Sequence, residues 1–590
     1  MSKKRLRENS FVEGSLIAYL AIIITKVMGL LYNIPFYQMI GDEGGFIYSC
    51  AYSIYVLFLS VSTSGIPVAI SILIGEYNAL GKFKSTQSAY RLGRRYVTLV
   101  SFVSFILIQI FAPALSRFFI SGSDTGAQAT DLTFAFRVVA LCLLIVPFLS
   151  VERGYMQGHK FIGVSSASQV IEQAVRIAFV LIGAYVTLYI FHQSQVHAVY
   201  VALFGAAFAA FVAWIYVVVK KRSNKDAFRS LSQKTINDFN LSDASLPPLE
   251  QHADPSNVIV KKLIHYCSTV VIYTISIHIY TVVDMKLLLY GLDKIGYSVV
   301  ETQTVVGIAS NWAPKIAMIT AALPIGMANS IAPHIANSYA KRDLFDVNVK
   351  LNQAIAVIFC INLPLTIGLI LFAPTVYTIF YGISPHGSNI LIMTLLLTMV
   401  NSFVNVFSMA GQSMGKGKTI IKYTIIGIVV NAVCDLPLIF LFHRIGIRAY
   451  LGASASSILG QSIVLALLIR SLHREVHFSA KPSFQMATKM SVPIVAMTAV
   501  LLLLRWIWPT EGHSRLFQTL QMVVFALVGI AIYLPLAGRT GVLDPMLTHP
   551  VAVRLLKFKP FALLLGRRPR SEKTAVREAT QENAQKEEKS

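Results

Sequence analysis

"GYMQGHKFIGVSSASQVIEQAVRIAFVLIGAYVTLYIF", residues 154 to 191, ends in an apolar run that reads as membrane helix, yet its first half carries Gln169, Glu172, Gln173 and Arg176 on the same helix. A carboxylate, two amides and a guanidinium near mid-span must face protein or water, because a charge at the centre of a bilayer costs roughly 2.5–3.5 kcal/mol. The stretch therefore belongs to a helix with a lipid side and a polar side, inside a bundle.

The rest of the chain agrees. Of 590 residues, 55% are hydrophobic and only 13% charged, with a mean hydropathy of +0.63. Soluble domains carry roughly twice that charge fraction. Apolar runs long enough to span a bilayer recur fourteen times, the first near 15–40 and the last near 516–537. Backbone groups in lipid must be bonded internally, and the period-2 alternation of a β-barrel is absent, so the fold is expected to be an all-α polytopic membrane protein. The basic start, "MSKKRLREN", is followed by a long apolar run without a small-residue cleavage site, which reads as an uncleaved first span.

The net charge of +23 does not point to nucleic acid, because of where the charges sit. Of 51 Lys and Arg, 40 fall in the N-terminus, alternate inter-helix loops and the tail, and only Lys294, Arg444, Arg448 and Arg515 fall in the opposite loops. That asymmetry places both termini on the cytoplasmic side. The outside loops, such as "GDEGG" and "YGISPHGSN", leave no room for an external catalytic domain. Cys50, Cys142, Cys267, Cys360 and Cys434 each stand alone in an apolar run and read as packing residues; no metal site or cofactor is expected.

An internal repeat sets the organisation. "APALSRFFISG" (112–122) matches "APTVYTIFYGI" (373–383), "MQGHK" (156–160) matches "MGKGK" (414–418), and "GIPVAIS" (65–71) echoes "ALPIGMA" (322–328), at offsets of about 257 to 261. Two parallel six-helix repeats follow, a pattern that builds transport cavities at the repeat interface. The expected division is an N-lobe over 1–220, a cytoplasmic linker over 221–260, a C-lobe over 261–472, a final helix pair over 473–540 and a cytoplasmic tail over 541–590.

Seven cations lie inside spans: Lys26, Arg117, Arg137, Arg176, Lys286, Lys315 and Arg505. Arg117, Arg137 and Arg505 are near enough to the outer interface to snorkel. Glu172 and Arg176 are spaced i, i+4 and can pair on one face, which reads either as a self-neutralised packing stripe or as a cavity wall touching a polar substrate. Lys26 has no acid one turn away on its own helix. It needs either an acidic partner from elsewhere, for which Asp284 is a candidate, or an anionic ligand. Lys315 adds a second cation able to clamp a phosphate group.

"NIPFYQMIGDEGGFIYSCAYSIYVLFLSVSTSGIPVAISILIGEYNALGK" (33–82) and "ERGYMQGHKFIGVSSASQVIEQAVR" (152–176) resemble the MurJ/SpoVB-like branch of the multidrug/oligosaccharidyl-lipid/polysaccharide exporter superfamily. The resemblance covers roughly 10 to 540. It implies the superfamily's fourteen-helix fold, with the final helix pair helping to form a groove for a lipid tail. It also implies export of undecaprenyl-diphosphate-linked sugar precursor (lipid II) for cell-wall synthesis. Lys26 in "KVMG" matches the branch's basic residue in helix one, and Lys315 corresponds to its basic residue in helix eight. Where Gram-negative members carry an Arg-Asp pair, this chain has Tyr32 and Asn33, and a Pro usual in the fifth helix is missing at "FIGVSS".

The expected partners are thus a lipid-linked diphosphate sugar precursor, membrane lipids and a coupling ion that the sequence does not name. The expected substrate contacts are Lys26, Lys315, Asp284, Arg176 and Glu172. Rival readings are a flippase for a teichoic-acid, capsule or spore precursor, and a cation-coupled drug exporter, which Lys26 would disfavour by repelling a cation. An enzyme is not expected, since neither paired catalytic carboxylates in a structured segment nor a P-loop is present. The charge asymmetry predicts that cysteines placed at Ser123, Gln195 and Gly387 label from outside, whereas those at Lys84, Ser230 and Gln581 do not. External labelling at Ser230 would overturn the arrangement.

Overall fold

The computed structural model describes residues 21, 24–63, 66–79, 82–120, 128–159, 161–224, 254–510 and 512–540. Most of the expected linker, the tail over 541–590 and the first twenty residues lie outside the described residues. The chain is an all-α polytopic membrane protein, and among the described residues ten helices are long and apolar enough to cross a bilayer.

The helical residues 24–31 lead into α1 (Asn33–Thr63), which breaks at Gly41, where φ is 62° and ψ −165°. There follow α2 (Ile66–Ala79), α3 (Phe83–Phe119), α4 (Ala129–Ala140), α5 (Val146–Gly158), α6 (Ile162–Tyr185), α7 (Gln195–Ser223) and α8 (Ser256–Ile295). The later helices are α9 (Val299–Gly307), α10 (Ala313–Ala340), α11 (Leu344–Val357), α12 (Leu363–Leu371), α13 (Ala373–Tyr381), α14 (Gly387–Ser413), α15 (Gly417–Arg444), α16 (Leu451–Val476), α17 (Lys481–Ile507) and α18 (Arg515–Arg539). Several expected spans are two helices joined by an irregular turn. A 3-10 turn (Leu141–Leu144) joins α4 to α5, and π-turns join α9 to α10 (Ile308–Trp312) and α11 to α12 (Ile358–Asn362). Such turns free carbonyls for other partners.

The residues group into two compact bodies. The first holds Met1–Ile316, Phe380–Thr394 and Gly417–Val464; the second holds Ala317–Ile379, Leu395–Lys416 and Leu465–Ser590. In lipid, helices associate through close packing rather than hydrophobic exclusion, so small residues mark the contacts. In the first body, Gly183 and Gly205 let α6 and α7 approach through Val201 and Phe179. Gly427, Gly452 and Gly460 do the same for α15 and α16. The 40-residue α8 has two kinds of neighbour. Its first half places Ile259, Leu263 and Cys267 in a cluster with Ile70, Leu73, Tyr77, Val97 and Val151. Its second half packs Gly291 against Leu436 and Ile439 of α15.

Polar contacts fasten the start of α8. Lys82 Nζ reaches Asp254 Oδ1 at 2.7 Å, Lys262 Nζ reaches Glu76 Oε1 at 2.6 Å, and the Asp254 amide donates to Ser85 Oγ. The Lys82 hydrogen bond holds the Asp254 carboxyl below its ordinary value of 3.8. A depressed carboxyl contributes stability above that value and loses it as pH falls through its folded pKa, so this contact persists at neutral pH.

In the second body, α17 and α18 are strapped to the α11–α13 segment. Tyr533 donates to the Cys360 carbonyl in the π-turn at 2.5 Å, Arg505 Nη1 to the Leu371 carbonyl at 2.8 Å, and Thr375 meets Thr510 at 2.6 Å. Arg505, expected to snorkel, thus uses its head group on backbone. All five cysteines are free thiols, four of them buried.

A Cβ added at Gly452 would lie 2.5–2.6 Å from the backbone of Leu438 and Ile439, which cannot retreat as a side chain can. Gly452→Ala should therefore lower folding stability by about 2 kcal/mol, an overpacking penalty. Gly368→Ala, with nothing within 4 Å of the new carbon, should raise it slightly. Thermal unfolding midpoints of the two purified variants in detergent check the contrast.

Candidate functional site

The polar face of α6 is built around one carboxylate and two guanidiniums. Glu172 Oε1 accepts from Arg176 Nη2 at 2.7 Å, the i, i+4 pair expected from spacing. Its other oxygen accepts from Arg153 Nη2 of α5 at 2.9 Å, and Arg153 Nε donates to Ser168 Oγ at 2.7 Å. The three side chains are only 13–21% exposed, so little water screens the surplus positive charge. Arg176 Nε is buried without a hydrogen-bond partner. Sequence reasoning missed Arg153; it lies in the quoted "ERGYMQG", but its meeting with Glu172 depends on how α5 packs on α6.

From Arg176 the network runs through phenols. Its charge acts on Tyr32, Tyr48, Tyr52 and Tyr55. The Tyr48 ring lies 5.0 Å from Lys315 Nζ, and the Trp312 ring 4.3 Å from it. Lys315 donates to Asn33 Oδ1 at 2.9 Å. Asn33 in turn donates its amide to the Gly29 carbonyl, which fixes the oxygen toward Lys315. Trp312 also packs edge-on against Tyr37 and Tyr381, with ring centroids 4.8 and 5.5 Å away.

Lys26 sits one turn before Gly29, on the helical residues 24–31. Gly29 faces Gln173 of α6, so Lys26 shares the face that approaches the Glu172 cluster. Among the described residues, Lys26 has no hydrogen-bond or ion-pair partner, and it is partly exposed.

Asp284 stands apart from this network. One of its oxygens accepts from Asn431 of α15 and the other from Ser457 Oγ of α16 at 2.8 Å, so the Lys26–Asp284 pair weighed above is not formed here. Both acceptor sites of that carboxylate are taken by neutral donors on the helices its own half of α8 packs against. Asp435, one turn beyond Asn431, is fully buried; neither of its oxygens has a hydrogen-bond partner, and Asn431 Oδ1 has none either. Asp284 and Asp435 are close enough to act on each other electrostatically. A fully buried carboxylate beside a partly buried one, with no cation between them among the described residues, makes a place that suits a proton or a small cation.

The first body therefore holds two sites of opposite sign. One presents Lys26, Arg153, Arg176 and Lys315 against the single acid Glu172 and suits an anion. The other presents Asp284 and Asp435 and suits a cation.

A family model described as polysaccharide biosynthesis protein matches residues 11–325, and a model described as MatE matches 304–436. Lipid II flippase MurJ of Bacillus subtilis (strain 168) is 26% identical over 555 residues, covering 93% of this chain and 97% of the relative. The uncharacterized membrane protein YabM of the same organism is 23% identical, covering 92% and 96%. A solved structure, lipid II flippase MurJ in an inward closed conformation, superposes with a TM-score of 0.60 at 15% identity, covering 89% of this chain and 99% of that one.

Glu172→Gln strands two guanidiniums against each other and should destabilise the protein by about 3 kcal/mol, the low end for a broken buried pair. Arg176→Gln leaves the Arg153–Glu172 bond and should cost less, and Glu172→Gln with Arg176→Gln should fall between the two. Folded yield and thermal midpoint of the three variants check the order. Equal losses would remove Arg153 from the network.

Proposed function

The chain belongs to the polysaccharide biosynthesis protein family of the multidrug/oligosaccharidyl-lipid/polysaccharide exporter superfamily, and on that premise we propose that it flips undecaprenyl-diphosphate-linked peptidoglycan precursor across the cytoplasmic membrane. The observation that carries this reading is the ratio of charges in the anion-suited site: four cations, Lys26, Arg153, Arg176 and Lys315, against Glu172 alone. A diphosphate is the anion such a cluster suits, and a drug cation is repelled by it. The similarity to lipid II flippase MurJ over nearly the whole chain supports the same cargo.

In the proposed cycle, Lys26 makes the first electrostatic contact because no protein group among the described residues occupies it. Lys315 joins when it leaves Asn33, a neutral partner that holds it less tightly than a carboxylate would. Glu172 keeps Arg153 and Arg176 in place and tempers their charge. Both termini face the cytoplasm, so the head group enters from the side bearing the Lys/Arg-rich loops. Moving one charge across 100 mV is worth about 2.3 kcal/mol, so a head group of about two negative charges gains roughly 4–5 kcal/mol on leaving a negative interior. The Asp284–Asp435 pair supplies the coupling site, filled by a proton or a monovalent cation that resets the empty carrier.

The test is complementation of a flippase-depleted strain, with the accumulating lipid-linked precursor identified. Failure to rescue, with another lipid-linked sugar accumulating when this chain is removed, would move the assignment to that sugar. Lys26→Ala should insert normally yet abolish transport, Lys26→Arg should keep a good part of it, and Lys26→Glu should be worst. Wild-type transport by Lys26→Ala would sink the diphosphate assignment. Asp435→Asn should fold and bind the head group but lose the dependence of transport on the coupling cation or on pH.

A further inference from the structure

The start of α17 is held to α11 in the way that the start of α8 is held to α3. In the first body, the residue two before α8, Asp254, gives its amide to Ser85 in the first turn of α3. In the second, the residue two before α17, Ser479, gives its amide to Asn348 Oδ1 in the first turns of α11, at 3.2 Å. Asn352, one turn on, donates to the Ser479 carbonyl at 3.0 Å and accepts from the Ser483 amide at 3.3 Å. Each body thus has a long helix docked by its foot on the corresponding helix of the internal repeat, and each docking leaves a crevice.

The crevices differ in size and in what guards them. That between α3 and α8, lined by Leu92, Tyr96 and Ile264 among others, measures about 120 Å³. The ion pairs Lys82–Asp254 and Lys262–Glu76 bind together the ends of the elements that form it. That between α11 and α17 measures about 510 Å³, inside the roughly 300–1,000 Å³ range of sites that hold a ligand. Neutral amides and serines hold it, and Val349, Ala356 and Met486 give it an apolar interior. Because Asn348 and Asn352 are committed to the 476–483 backbone, its walls are fixed without a ligand.

Its depth and charge identify the occupant. Both walls are the first turns of membrane spans, Leu344–Leu371 and Lys481–Ile507, so the crevice lies where head groups meet acyl chains. Phe345 lines it at 80% exposure, and Phe484 beside it is 71% exposed, an apolar rim at that level. Of the nearby acids, Asp346 is paired with Lys350 and Glu475 with Lys416 at 2.9 Å, while Asp343 caps α11 by accepting from the Asp346 amide. Among the described residues Lys341, Arg342, Arg474, Lys481 and Lys489 have no acidic partner, and His477 lines the mouth. The first turns of two helices add the positive end of their dipoles.

We propose that the α11–α17 crevice binds one anionic phospholipid of the leaflet that meets the Lys/Arg-rich loops. Its acyl chains lie against Val349, Ala356 and Met486, and its phosphate lies at the mouth beside His477 and Lys481. This lipid is a fixed cofactor of the membrane wall and not the cargo.

The purified full-length chain, delipidated in detergent and titrated with phosphatidylglycerol or phosphatidylcholine, tests this by native mass spectrometry. One phosphatidylglycerol should remain bound at concentrations where phosphatidylcholine is lost. Val349→Trp fills the crevice and should weaken that adduct at least about tenfold. Met486→Trp fills it from the other wall and serves if the first variant folds poorly. Lys481→Ala should weaken phosphatidylglycerol about fivefold, the equivalent of about 1 kcal/mol per basic residue at an anionic surface, and leave phosphatidylcholine unchanged. Equal retention of the two lipids, or an adduct that both filled variants keep, would overturn the site. Displacement of the lipid by undecaprenyl phosphate at equal concentration would make the crevice a cargo-tail groove and equally overturn it. None of these readouts depends on transport, so they stand apart from the test of the flippase reading.

Discussion

A charge inside a bilayer must be answered by something in the protein, and this chain answers its charges incompletely in two places and with opposite signs. Glu172 is shared by Arg153 and Arg176, which satisfies the carboxylate and leaves one positive charge over. Asp284 is satisfied by neutral donors, and Asp435 by nothing. A structural network would have closed both accounts, since a partly satisfied buried network is less stable than an apolar core. Leaving a surplus makes sense where the balancing charge arrives with a ligand.

Lys315 illustrates how little it takes to hold such a surplus ready. Its partner Asn33 is an amide, and its other neighbours are the rings of Trp312 and Tyr48. An aspartate at that position would neutralise the ammonium and oppose an incoming phosphate. The amide orients Lys315 and leaves its charge whole. Tyr37 and Tyr381 in turn pack on Trp312 and on each other, so the aromatic wall beside the lysine is held from behind.

The spans, the repeat and the Glu172–Arg176 pair were legible in the sequence because each is local or periodic: apolar length, a fixed offset, a spacing of four. What lay beyond reach depended on tertiary approach. Arg153 joins Glu172 only because α5 lies beside α6. Asp284 and Asp435 meet through the packing of α8 on α15, and Asp284 reads from sequence instead as a candidate partner for Lys26, since each lies in the first helix of a repeat. The π-turns at Ile308–Trp312 and Ile358–Asn362 leave no mark in hydropathy, so continuous spans were expected where the chain makes two helices. The departure at Tyr32 and Asn33 was visible, but its meaning came from finding Lys315 on the other side of the bond.

The two charge sites are joined by α8. Its second half carries Asp284, and it also packs on α1, the helix that carries Asn33 and Tyr48. On the proposed reading, a proton or monovalent cation bound at the carboxylates cancels one negative charge in the low-dielectric interior, while a diphosphate bound at the cations adds about two. The two events shift the interior charge in opposite directions, so together they change it by less than the diphosphate does alone. Binding at one site is therefore favoured by occupancy of the other through the field alone, and by linkage the coupling must be equal in both directions.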